Sequence, residues 1–557
     1  MNLRPYQSDA VESICNNLAQ HSSTLLVLPT GCGKTVVFAH VADYYRRGGR
    51  VMVIAHREEL IRQAAEKIHA ITGEKPDIEM ASERADSHMF SRSKVVVSSV
   101  QTLCTGRVKR FDPTEFSLLI TDEAHHATAT SYRTVYEHML SAGCAHLGVT
   151  ATPDRADEEA LGQIFDSVAF VYELPDAIND GWLVPIRQKF VQVTGLDYSR
   201  ARTTAGDLNQ ADVARAQSSE KTIQEMCHPI VDIAGDKKTI IFATPGSNKG
   251  EGEDYHIAEK MTEVINRHRP NMARRVSQDT PKDERRQILA EFREGRFQFL
   301  VNVGVFTEGF DEPGIEIVAI TRPTKSRSLY AQMVGRGTRP LPGIVDGHDD
   351  RNVRCDLIAW SRKPAVTVID FIGNSGKHKL VTTADVLGGK VSDEVIARAK
   401  EKAEKSVDGV DMADAIRESL DEIHREKEEQ RRKREAIVAT TKYQITEIDP
   451  FNVFDIEPER ERGWEKGRWA TPAQLNALRH FGVEVPADLT MGRAGQLISE
   501  AKRRASTGRA SYATAKELRS RGLATDVSAA QAAIALGKGQ KFADLNAKWQ
   551  ARMGVRA

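Results

Sequence analysis

TLLVLPTGCGKTVVFAHVADYY, residues 24–45, is the stretch of sequence that predicts the fold most directly. The apolar residues 24–28 form a run typical of a buried strand, and residues 36–45 have the pattern of a helix. Between them lies LPTGCGKT (28–35), which departs from the usual glycine-first pattern at Leu28. A strand, a glycine-rich turn and a helix in this order predict a loop that binds phosphate groups through its backbone N–H groups.

The residues of this loop have separate expected tasks. Gly31 and Gly33 let backbone N–H groups converge on phosphate oxygens, and the Lys34 ammonium reaches the outer phosphates. The Thr35 hydroxyl is the expected Mg²⁺ ligand. The loop positions that we predict to bind a nucleotide are Pro29, Thr30, Gly31, Cys32, Gly33, Lys34 and Thr35.

A second strand ends in the carboxylates that such a loop needs. SLLITDEAHH (117–126) is an apolar run followed by Asp122 and Glu123. Because ligands of parallel sheets lie at the carboxyl ends of the strands, both side chains are expected beside the phosphate loop. Asp122 is the predicted Mg²⁺ partner, directly or through water, and Glu123 is the predicted base that orients and deprotonates an attacking water. Together with Lys34 they are predicted catalytic residues.

Strand-like and helical patterns alternate over the first 385 residues. Segments such as 57–71, with apolar residues at helical spacing, separate short β-branched runs. The predicted strands are 24–28, 51–55, 95–99, 117–121 and 146–150, and then 239–243, 299–303, 316–321 and 365–370. This alternation predicts two α/β domains with parallel sheets, at 1–180 and 221–385, joined by a connector at 181–220.

Composition limits the class of protein. The 557 residues include 78 Lys and Arg and 78 Asp and Glu, so the formal net charge is zero and any surface for nucleic acid has to be local. The six cysteines are scattered and form no C-x-x-C pair, which argues against a zinc site or a disulfide framework. No apolar run approaches the ~20 residues that span a bilayer. We expect a cytoplasmic protein without membrane contact.

Charged residues dominate the chain after residue 385. The segment 386–460 includes REKEEQRRKRE (425–435), which is typical of an exposed helix supported by ion pairs between successive turns. We predict a charged helical linker. A solvated spacer is favoured here over a grip on nucleic acid, and both interpretations stay open.

The segment 461–557 contains a weak internal repeat. AQLNALRHFGV (473–483) aligns with ATAKELRSRGL (513–523) at an offset of 40 residues. Thr471 and Pro472 are typical of a helix start and the aligned glycines of helix ends, so two similar helical hairpins are predicted. The segment has 17 Lys and Arg against 8 Asp and Glu, a surplus of 9. It is a candidate for binding DNA or a protein partner, or else a compact helical cap with a solvated basic face.

Read in order, the motifs of the first 385 residues resemble those of superfamily 2 helicases of the DEAH-box type. The resemblance implies an α/β fold with two tandem RecA-like parallel-sheet domains, followed here by a small α-helical C-terminal region. It also implies ATP and Mg²⁺ as cofactors. LRPYQ (3–7) resembles the adenine-reading element, so Gln7 is the implied contact to the base and Arg4 its assistant.

Other motifs carry implied contacts to nucleic acid and to ATP. AHREEL (55–60) and SSVQTL (98–103) resemble elements of the first domain that hold a nucleic-acid backbone. VNVGVFTEGFDEP (301–313) resembles the motif that touches both the strand and the nucleotide, with Gly309 and Asp311 facing the ATP. The implied nucleic-acid contacts are Arg57, Gln101, Thr102 and Thr307.

The last motif of the second domain implies arginine fingers. QMVGRGTRP (332–340) resembles it, with Gln332, Arg336 and Arg339 at the matching positions. Arginines from a second domain stabilise the charge on the transferred phosphoryl group only when the cleft is closed. Because they lie three residues apart, Arg336 and Arg339 are expected on one face of the same helix.

Within the superfamily, the chain is most similar to bacterial RadD-type helicases and their phage relatives. The likeness rests on LRPYQ, FQFLVNVGVFTEGFDEP and TRPTKSRSLYAQMVGRGTRP. It ends after the motor, because RadD-type proteins carry a cysteine-rich region there and this chain has none. The resemblance therefore implies the motor activity, in a bacterial or phage-infected cell, and does not imply the pathway.

The leading interpretation is an ATP-dependent nucleic-acid motor, a helicase or translocase, with DNA favoured over RNA by the subgroup likeness. Three alternatives stay open: an RNA remodelling helicase, the motor subunit of a nuclease or defence complex, and a non-hydrolysing ATP-gated clamp. The clamp would require a broken Glu123 or missing arginine fingers, and both are intact in the sequence. No carboxylate–lysine cluster of a nuclease is visible in the sequence.

Overall fold

The computed structural model describes residues 3–86, 92–151, 155–204, 206–245, 256–305, 310–375, 380–388, 391–406, 409–438, 449–456, 458, 467–486 and 488–536, with backbone alone at 155–159, 372–374 and 427–438. The chain divides into two compact units. One comprises Met1–Gly389 with Glu394–Ser419, and the other comprises Lys390–Asp393 with Leu420–Ala557. Among the described residues, no helix is long and apolar enough to cross a membrane.

Seven parallel strands form the first sheet. They are β1 (Ser23–Val27), β2 (Arg50–Ala55), β3 (Asp77–Glu79), β4 (Val95–Ser99), β5 (Phe116–Asp122), β6 (Ala145–Thr150) and β7 (Ser167–Val171). Their order across the sheet is β3-β4-β2-β5-β6-β1-β7. Every residue of β1, β2 and β4 is buried, as expected for a parallel sheet covered on both faces. This order places the carboxyl ends of β1, β6 and β5 side by side.

Helices cover the first sheet. They are α1 (Pro5–Leu18), α2 (Lys34–Tyr45), α3 (Glu58–Thr72), α4 (Val100–Leu103), α5 (Thr130–Met139), α6 (Arg155–Ile164) and α7 (Leu174–Asn179). The pattern of α3 explains its placement, because Leu60, Ile61, Ala64 and Ile68 recur at helical spacing and are buried. The helix ends at Gly73, whose φ of +72° is a left-handed C-cap conformation that suits glycine.

The second sheet also has seven strands. They are β8 (Ile186–Asp197), β11 (Thr239–Phe242), β12 (Ala273–Val276), β13 (Phe299–Asn302), β14 (Ile317–Ile320), β15 (Val366–Asn374) and β16 (Val410–Asp411), while β9 (Thr203–Thr204) and β10 (Asp207–Leu208) pair separately. The order is β12-β13-β11-β14-β15-β8-β16, and β16 alone runs antiparallel to its neighbour. Each strand predicted from the sequence is present in one of the two sheets.

Helices also lie between and after the strands of the second sheet, and the last of them, at residues 412–438, continues beyond Ser419, where the first compact unit ends. They are α8 (Gln210–Gln217), α9 (Glu220–Ala234), α10 (Ile257–His268), α11 (Lys282–Arg293), α12 (Arg327–Gly335), α13 (Arg351–Trp360), α14 (Thr383–Leu387), α15 (Asp393–Lys405) and α16 (Met412–Val438). The structure differs from the sequence interpretation at 181–220, where β8 pairs with β15 and joins the second sheet. Four of the twelve residues of β8 are buried and the others are partly or fully exposed, so the strand lacks the continuous apolar run of its neighbours.

The second compact unit contains paired short helices. They are α17 (Pro450–Phe454), α18 (Pro472–His480), α19 (Met491–Ser506), α20 (Tyr512–Ser520) and α21 (Ala529–Ala535). The repeat in the sequence is visible in the backbone. Isolated β-bridges join Trp469 to Thr490 in the first hairpin and Arg509 to Ser528 in the second. Thr471 caps α18 as predicted, and the glycines 40 residues apart, 482 and 522, have φ of +72° and +71°.

Candidate nucleotide site between the two sheets

The phosphate loop links β1 to α2 at the carboxyl edge of the first sheet. Gly31 and Gly33 have φ of +93° and +77°, a left-handed conformation that residues with a Cβ rarely adopt. Gly33 is the N-cap of α2, so the loop leads directly into a helix N-terminus. The loop lines a cavity of about 930 Å³. Free N–H groups and the helix dipole make this end of α2 suited to an anion.

Lys34 and Glu123 meet beside this loop. Lys34 Nζ lies 3.1 Å from Glu123 Oε1, and the two side chains are only 11% and 7% exposed. Asp122, the last residue of β5, accepts a hydrogen bond from the Glu123 backbone N–H at 2.9 Å. Glu123 has a φ of +49°, a conformation that costs a non-glycine residue roughly 1–3 kcal/mol and often occurs at functional sites. All three side chains line the cavity.

His125 lies next to the catalytic candidates, although the sequence reasoning assigned it no role. Its Nδ1 is 3.4 Å from Glu123 Oε2 and 3.3 Å from the hydroxyl of Thr150, the last residue of β6. The signal that could have identified His125 is its place two residues after Glu123 in a short helical turn, Ala124–His126.

The second sheet contributes arginines to the same cavity. Arg336 and Arg339 both line it, and Arg336 Nη1 donates a 2.6 Å hydrogen bond to the Phe310 carbonyl. The Arg339 guanidinium forms an ion pair with Asp311, which was predicted to face the nucleotide and also lines the cavity. A Cβ added to Gly31 would lie 3.3 Å from Arg339 Cγ. An arginine of the second domain therefore packs directly on the phosphate loop of the first.

The expectation that Arg336 and Arg339 share one helix face is wrong. Helix α12 ends at Gly335 with Arg336 as its C-cap, and Arg339 lies beyond the helix. Glycines flank Arg336 where the chain is crowded, because a Cβ on Gly335 would lie 2.8 Å from Thr30 Cβ, and one on Gly337 2.4 Å from a Val366 methyl. The chain leaves the helix where it passes closely over the phosphate loop and its own sheet, and this turn carries Arg339 to the cavity.

Gln332 is placed differently from the two arginines. It is 3% exposed within α12 and is absent from the cavity wall as described. Within the described part of the chain, its Nε2 has no hydrogen-bond partner. The other predicted members of this side of the site, Thr307 and Gly309, lie outside the described residues.

The N-terminal motif and an unpredicted tryptophan also line the cavity. Gln7 Nε2 donates to the Cys32 carbonyl at 2.9 Å, so Gln7 braces the phosphate loop in addition to lining the cavity. Arg4 pairs with Asp346 at 2.9 Å, and its guanidinium lies 4.6 Å from the ring centroid of Trp182. Trp182 lines the cavity as well. Tryptophan is rare in this sequence, which was a weak signal that Trp182 has a special role. Nothing in the local sequence indicates that it lies beside Arg4.

Burial changes the ionisation of two groups that border the site. Full burial raises the pKa of the Cys32 thiol to about 12, so this cysteine acts as a small apolar residue of the loop. Burial lowers the pKa of Lys363 to about 7. Lys363 Nζ donates to the carbonyls of Pro313 and Arg339 at 2.7 and 2.6 Å, and so fixes the backbone of Arg339.

The predicted nucleic-acid residues of the first domain lie together at the ends of β2 and β4. Arg57 is the N-cap of α3, and its Nη1 donates to the Val305 carbonyl of the second domain at 2.9 Å. Gln101 is exposed, and its Nε2 donates to the His56 carbonyl at 2.8 Å. The Thr102 hydroxyl accepts a hydrogen bond from a backbone N–H at 3.1 Å. Arg57 and Gln101 are thus neighbours, whereas the Thr102 hydroxyl is engaged by the backbone.

The predicted Mg²⁺ ligands fit a nucleotide-bound ion. Thr35 and Asp122 line the cavity next to Lys34 and supply the hydroxyl and carboxylate oxygens that Mg²⁺ prefers. Among the described residues, no group of three or more His, Cys, Asp or Glu side chains could hold a metal on its own. Two protein ligands suit Mg²⁺, which usually completes its shell with water and phosphate oxygens.

Family models match both halves of this site. Residues 1–155 match the model described as "Type III restriction enzyme, res subunit", and residues 221–340 match the "Helicase conserved C-terminal domain". The first match contains Lys34 and Glu123, and the second contains Arg336 and Arg339. Each half of the site therefore lies in a segment that matches one of these two family models.

Similar proteins include named helicases. A Saccharomyces cerevisiae protein whose name describes it as an ATP-dependent helicase, IRC3, is 31% identical over 410 residues, covering 71% of this chain and 54% of the relative. A 51.5 kDa protein of a Lactococcus phage is 29% identical, covering 56% of this chain and 61% of the relative. The chain spans little more than half the length of these relatives. The DNA 3'-5' translocase XPB2 of Sulfurisphaera tokodaii is 24% identical over 60% of this chain and 78% of its own length.

Proposed function

We propose that this protein is an ATP-dependent motor that acts on DNA as a helicase or translocase. The observation that carries the proposal is the meeting of two half-sites at one cavity. Lys34 and Glu123 come from the first sheet, and Arg336 and Arg339 reach the same cavity from the second. Such a site hydrolyses ATP only when the domains are closed, so hydrolysis can be converted into domain movement.

Each group has a distinct task in this proposal. Lys34 and the loop N–H groups bind the phosphates, and Glu123 orients a water and accepts its proton. Arg336 and Arg339 stabilise the negative charge that develops on the transferred phosphoryl group. A bound Mg²⁺ would neutralise phosphate charge, and Thr35 and Asp122 are the residues that would hold it.

The remaining predicted residues complete the proposed site. Gln332 is proposed to act with Arg336 and Arg339 because it belongs to the same motif, and in this structure it lies buried in α12 rather than on the cavity wall. Asp311 would hold the Arg339 guanidinium until a nucleotide competes for it. Gly309 is proposed to face the nucleotide beside Asp311. Arg4 and Gln7 are proposed to bind the adenine.

DNA is the proposed polymer. The translocase relative is named for DNA, and the motif likeness to RadD-type helicases favours the same substrate. We further propose that the chain is of the RadD type, and that Arg57, Gln101, Thr102 and Thr307 contact the strand. The proposed contact with the DNA strand is best supported for Arg57 and Gln101, because they lie next to each other at the ends of neighbouring strands. The similar phage protein supports a bacterial or phage-infected cytoplasm as the setting.

A second candidate is the motor subunit of a nuclease complex. The match to the restriction-enzyme res subunit over residues 1–155 favours it. In this version the ATPase chemistry is the same, and a partner protein cleaves the nucleic acid.

The C-terminal unit is the proposed docking or DNA-binding element. Much of its described basic surface is engaged internally, for example Arg503 and Arg509 with Asp526, and Lys516 with Glu484. A docking role therefore fits better than a purely electrostatic grip.

ATPase rate against a panel of nucleic acids tests the proposal. The panel is single-stranded, double-stranded and forked DNA, with RNA of matched length. We expect stimulation by at least one DNA and a weaker effect of RNA. Stimulation by RNA alone would favour the RNA remodelling alternative. ATP binding without turnover under every condition would favour a non-hydrolysing clamp.

A further inference from the structure

Two histidines join the ends of neighbouring strands in the first sheet. β2 and β5 pair in parallel, so their carboxyl ends lie side by side. His56 directly follows β2, and His126 closes the turn Ala124–His126 that follows β5. Their rings meet edge to face, with centroids 4.5 Å apart and an interplanar angle of 71°. This geometry is favourable for aromatic rings and fixes the two loops against each other.

On one side, this contact leads to the proposed general base. His126 is in contact with His125, at 4.1 Å between ring centroids, and His125 Nδ1 lies 3.4 Å from Glu123 Oε2. Glu123 has the strained φ of +49°, so its position depends on how firmly the turn after it is held. A loss of packing at His126 would loosen the end of the turn that carries the carboxylate.

On the other side, the contact leads to the proposed nucleic-acid surface and to the second domain. The His56 carbonyl accepts from Gln101 at 2.8 Å, and Arg57 Nε is 3.3 Å from His56 Nε2. Arg57 Nη1 in turn bonds to the Val305 carbonyl across the cleft. His56 is therefore held by Gln101 and Arg57, and Arg57 also reaches the second domain.

We propose that His56 and His126 are positioning residues that couple DNA binding to ATP hydrolysis. DNA bound at Arg57 and Gln101 fixes His56, His56 fixes His126, and His126 holds the turn that aims Glu123 at the attacking water. The inference deepens the proposed function and rests on it. Its physical basis is contiguous packing between two loops, each of which ends in a functional residue.

A double-mutant cycle tests this coupling. The variants are His56→Ala, His126→Ala and the pair, with ATPase measured without DNA and with saturating DNA of the best-stimulating form. Each single substitution is expected to lower DNA-stimulated kcat about ten-fold, the size of one aromatic contact, with KM for ATP within about two-fold. The double variant should be no slower than the worse single one. His126→Phe, which keeps a ring, should recover most of the stimulation.

A second histidine pair in the same chain is the matched control. His228 and His268 also meet edge to face, at 4.2 Å and 77°, between α9 and α10. His228→Ala should leave DNA stimulation as in the wild type. Equal losses with and without DNA, or losses that multiply in the double variant, would overturn the coupling. A wild type that no nucleic acid stimulates would overturn the proposed function and, with it, the coupling.

Discussion

Arg339 of the second domain packs on Gly31 of the phosphate loop, with its Cγ 3.3 Å from the place that a Cβ on Gly31 would occupy. This contact brings the proposed arginine fingers to the proposed catalytic carboxylate, since Lys34 and Glu123 lie beside the same loop. The two domains thus line one cavity.

Glu123→Gln should separate binding from hydrolysis. The amide keeps the size of the side chain and removes the base, so ATP should bind with similar affinity while turnover falls by about 10²–10⁴-fold. Nucleotide titration and steady-state ATPase measure the two effects. Glu137→Gln, on α5 of the same domain, is the control and should hydrolyse ATP normally. Turnover of Glu123→Gln within a few-fold of the wild type would assign the base elsewhere.

Arg336→Ala should mainly reduce kcat. The guanidinium is expected to act on charge that develops in the transition state, so its loss should lower turnover by about 10³-fold and leave ATP affinity almost unchanged. Steady-state kinetics with saturating DNA separate these parameters. Arg286→Ala, an exposed arginine on α11, is the matched control. A rise in KM with unchanged kcat would show instead that Arg336 contributes uniform binding energy.

Asp370 gives the second domain a pH-dependent stability. Burial raises the pKa of this carboxyl to about 7, and Tyr330 and Gln188 donate to it at 2.6 and 3.0 Å. Between about pH 4 and pH 7 the folded protein therefore keeps a proton that the unfolded chain releases, and the free energy of unfolding falls as pH rises through this range. Asp370→Asn keeps the acceptor and removes the charge, so it should be more stable than the wild type at pH 8.

Denaturant midpoints at pH 5 and pH 8 measure this effect. The advantage of Asp370→Asn should grow with pH by about 1.4 kcal/mol per pH unit over the affected range. A stability difference between variant and wild type that is the same at both pH values would contradict the raised pKa.

Deleting 461–557 should leave the ATPase machinery in place. All cavity residues named above lie in the other compact unit, so basal hydrolysis should stay within a few-fold of the full chain. DNA affinity, substrate choice or partner binding should weaken. Gel-shift titration and basal ATPase of the truncated chain test the two halves of this expectation. Loss of basal hydrolysis with retained folding would make the C-terminal unit part of the motor.

Local patterns allowed most of the fold to be predicted. Strands with continuous apolar burial, such as β4, were predicted with the observed bounds, because a parallel sheet buries both faces of such a strand. β8 lies in the segment 181–220, which was predicted as a connector. Most residues of β8 are partly or fully exposed and its partner β15 lies far along the chain, so no local apolar run indicates that it joins a sheet. The edge strands β3 and β7 were not predicted from the sequence. β3 has only three residues, and the residues of β7 are partly or fully exposed.

The site was predicted where its chemistry is local and missed where it depends on tertiary contacts. The loop that carries Lys34 has a pattern with a direct physical reason, and so has the strand that ends in Asp122. Trp182 and Lys363 have no such pattern. Trp182 contacts Arg4, and Lys363 donates a hydrogen bond to the Arg339 carbonyl. Both contacts join segments that are distant in the sequence, so they arise only from tertiary packing.

In the proposed mechanism, one chain supplies both halves of each ATP site. Lys34→Ala and Arg336→Ala should each be almost inactive, and the most direct test mixes the two variants in equal amounts and measures ATPase with saturating DNA. We expect the mixture to stay as inactive as its components, because every cleft lacks one half. Recovery of turnover on mixing would contradict it, because Arg336 of one chain would then act on the nucleotide held by Lys34 of another.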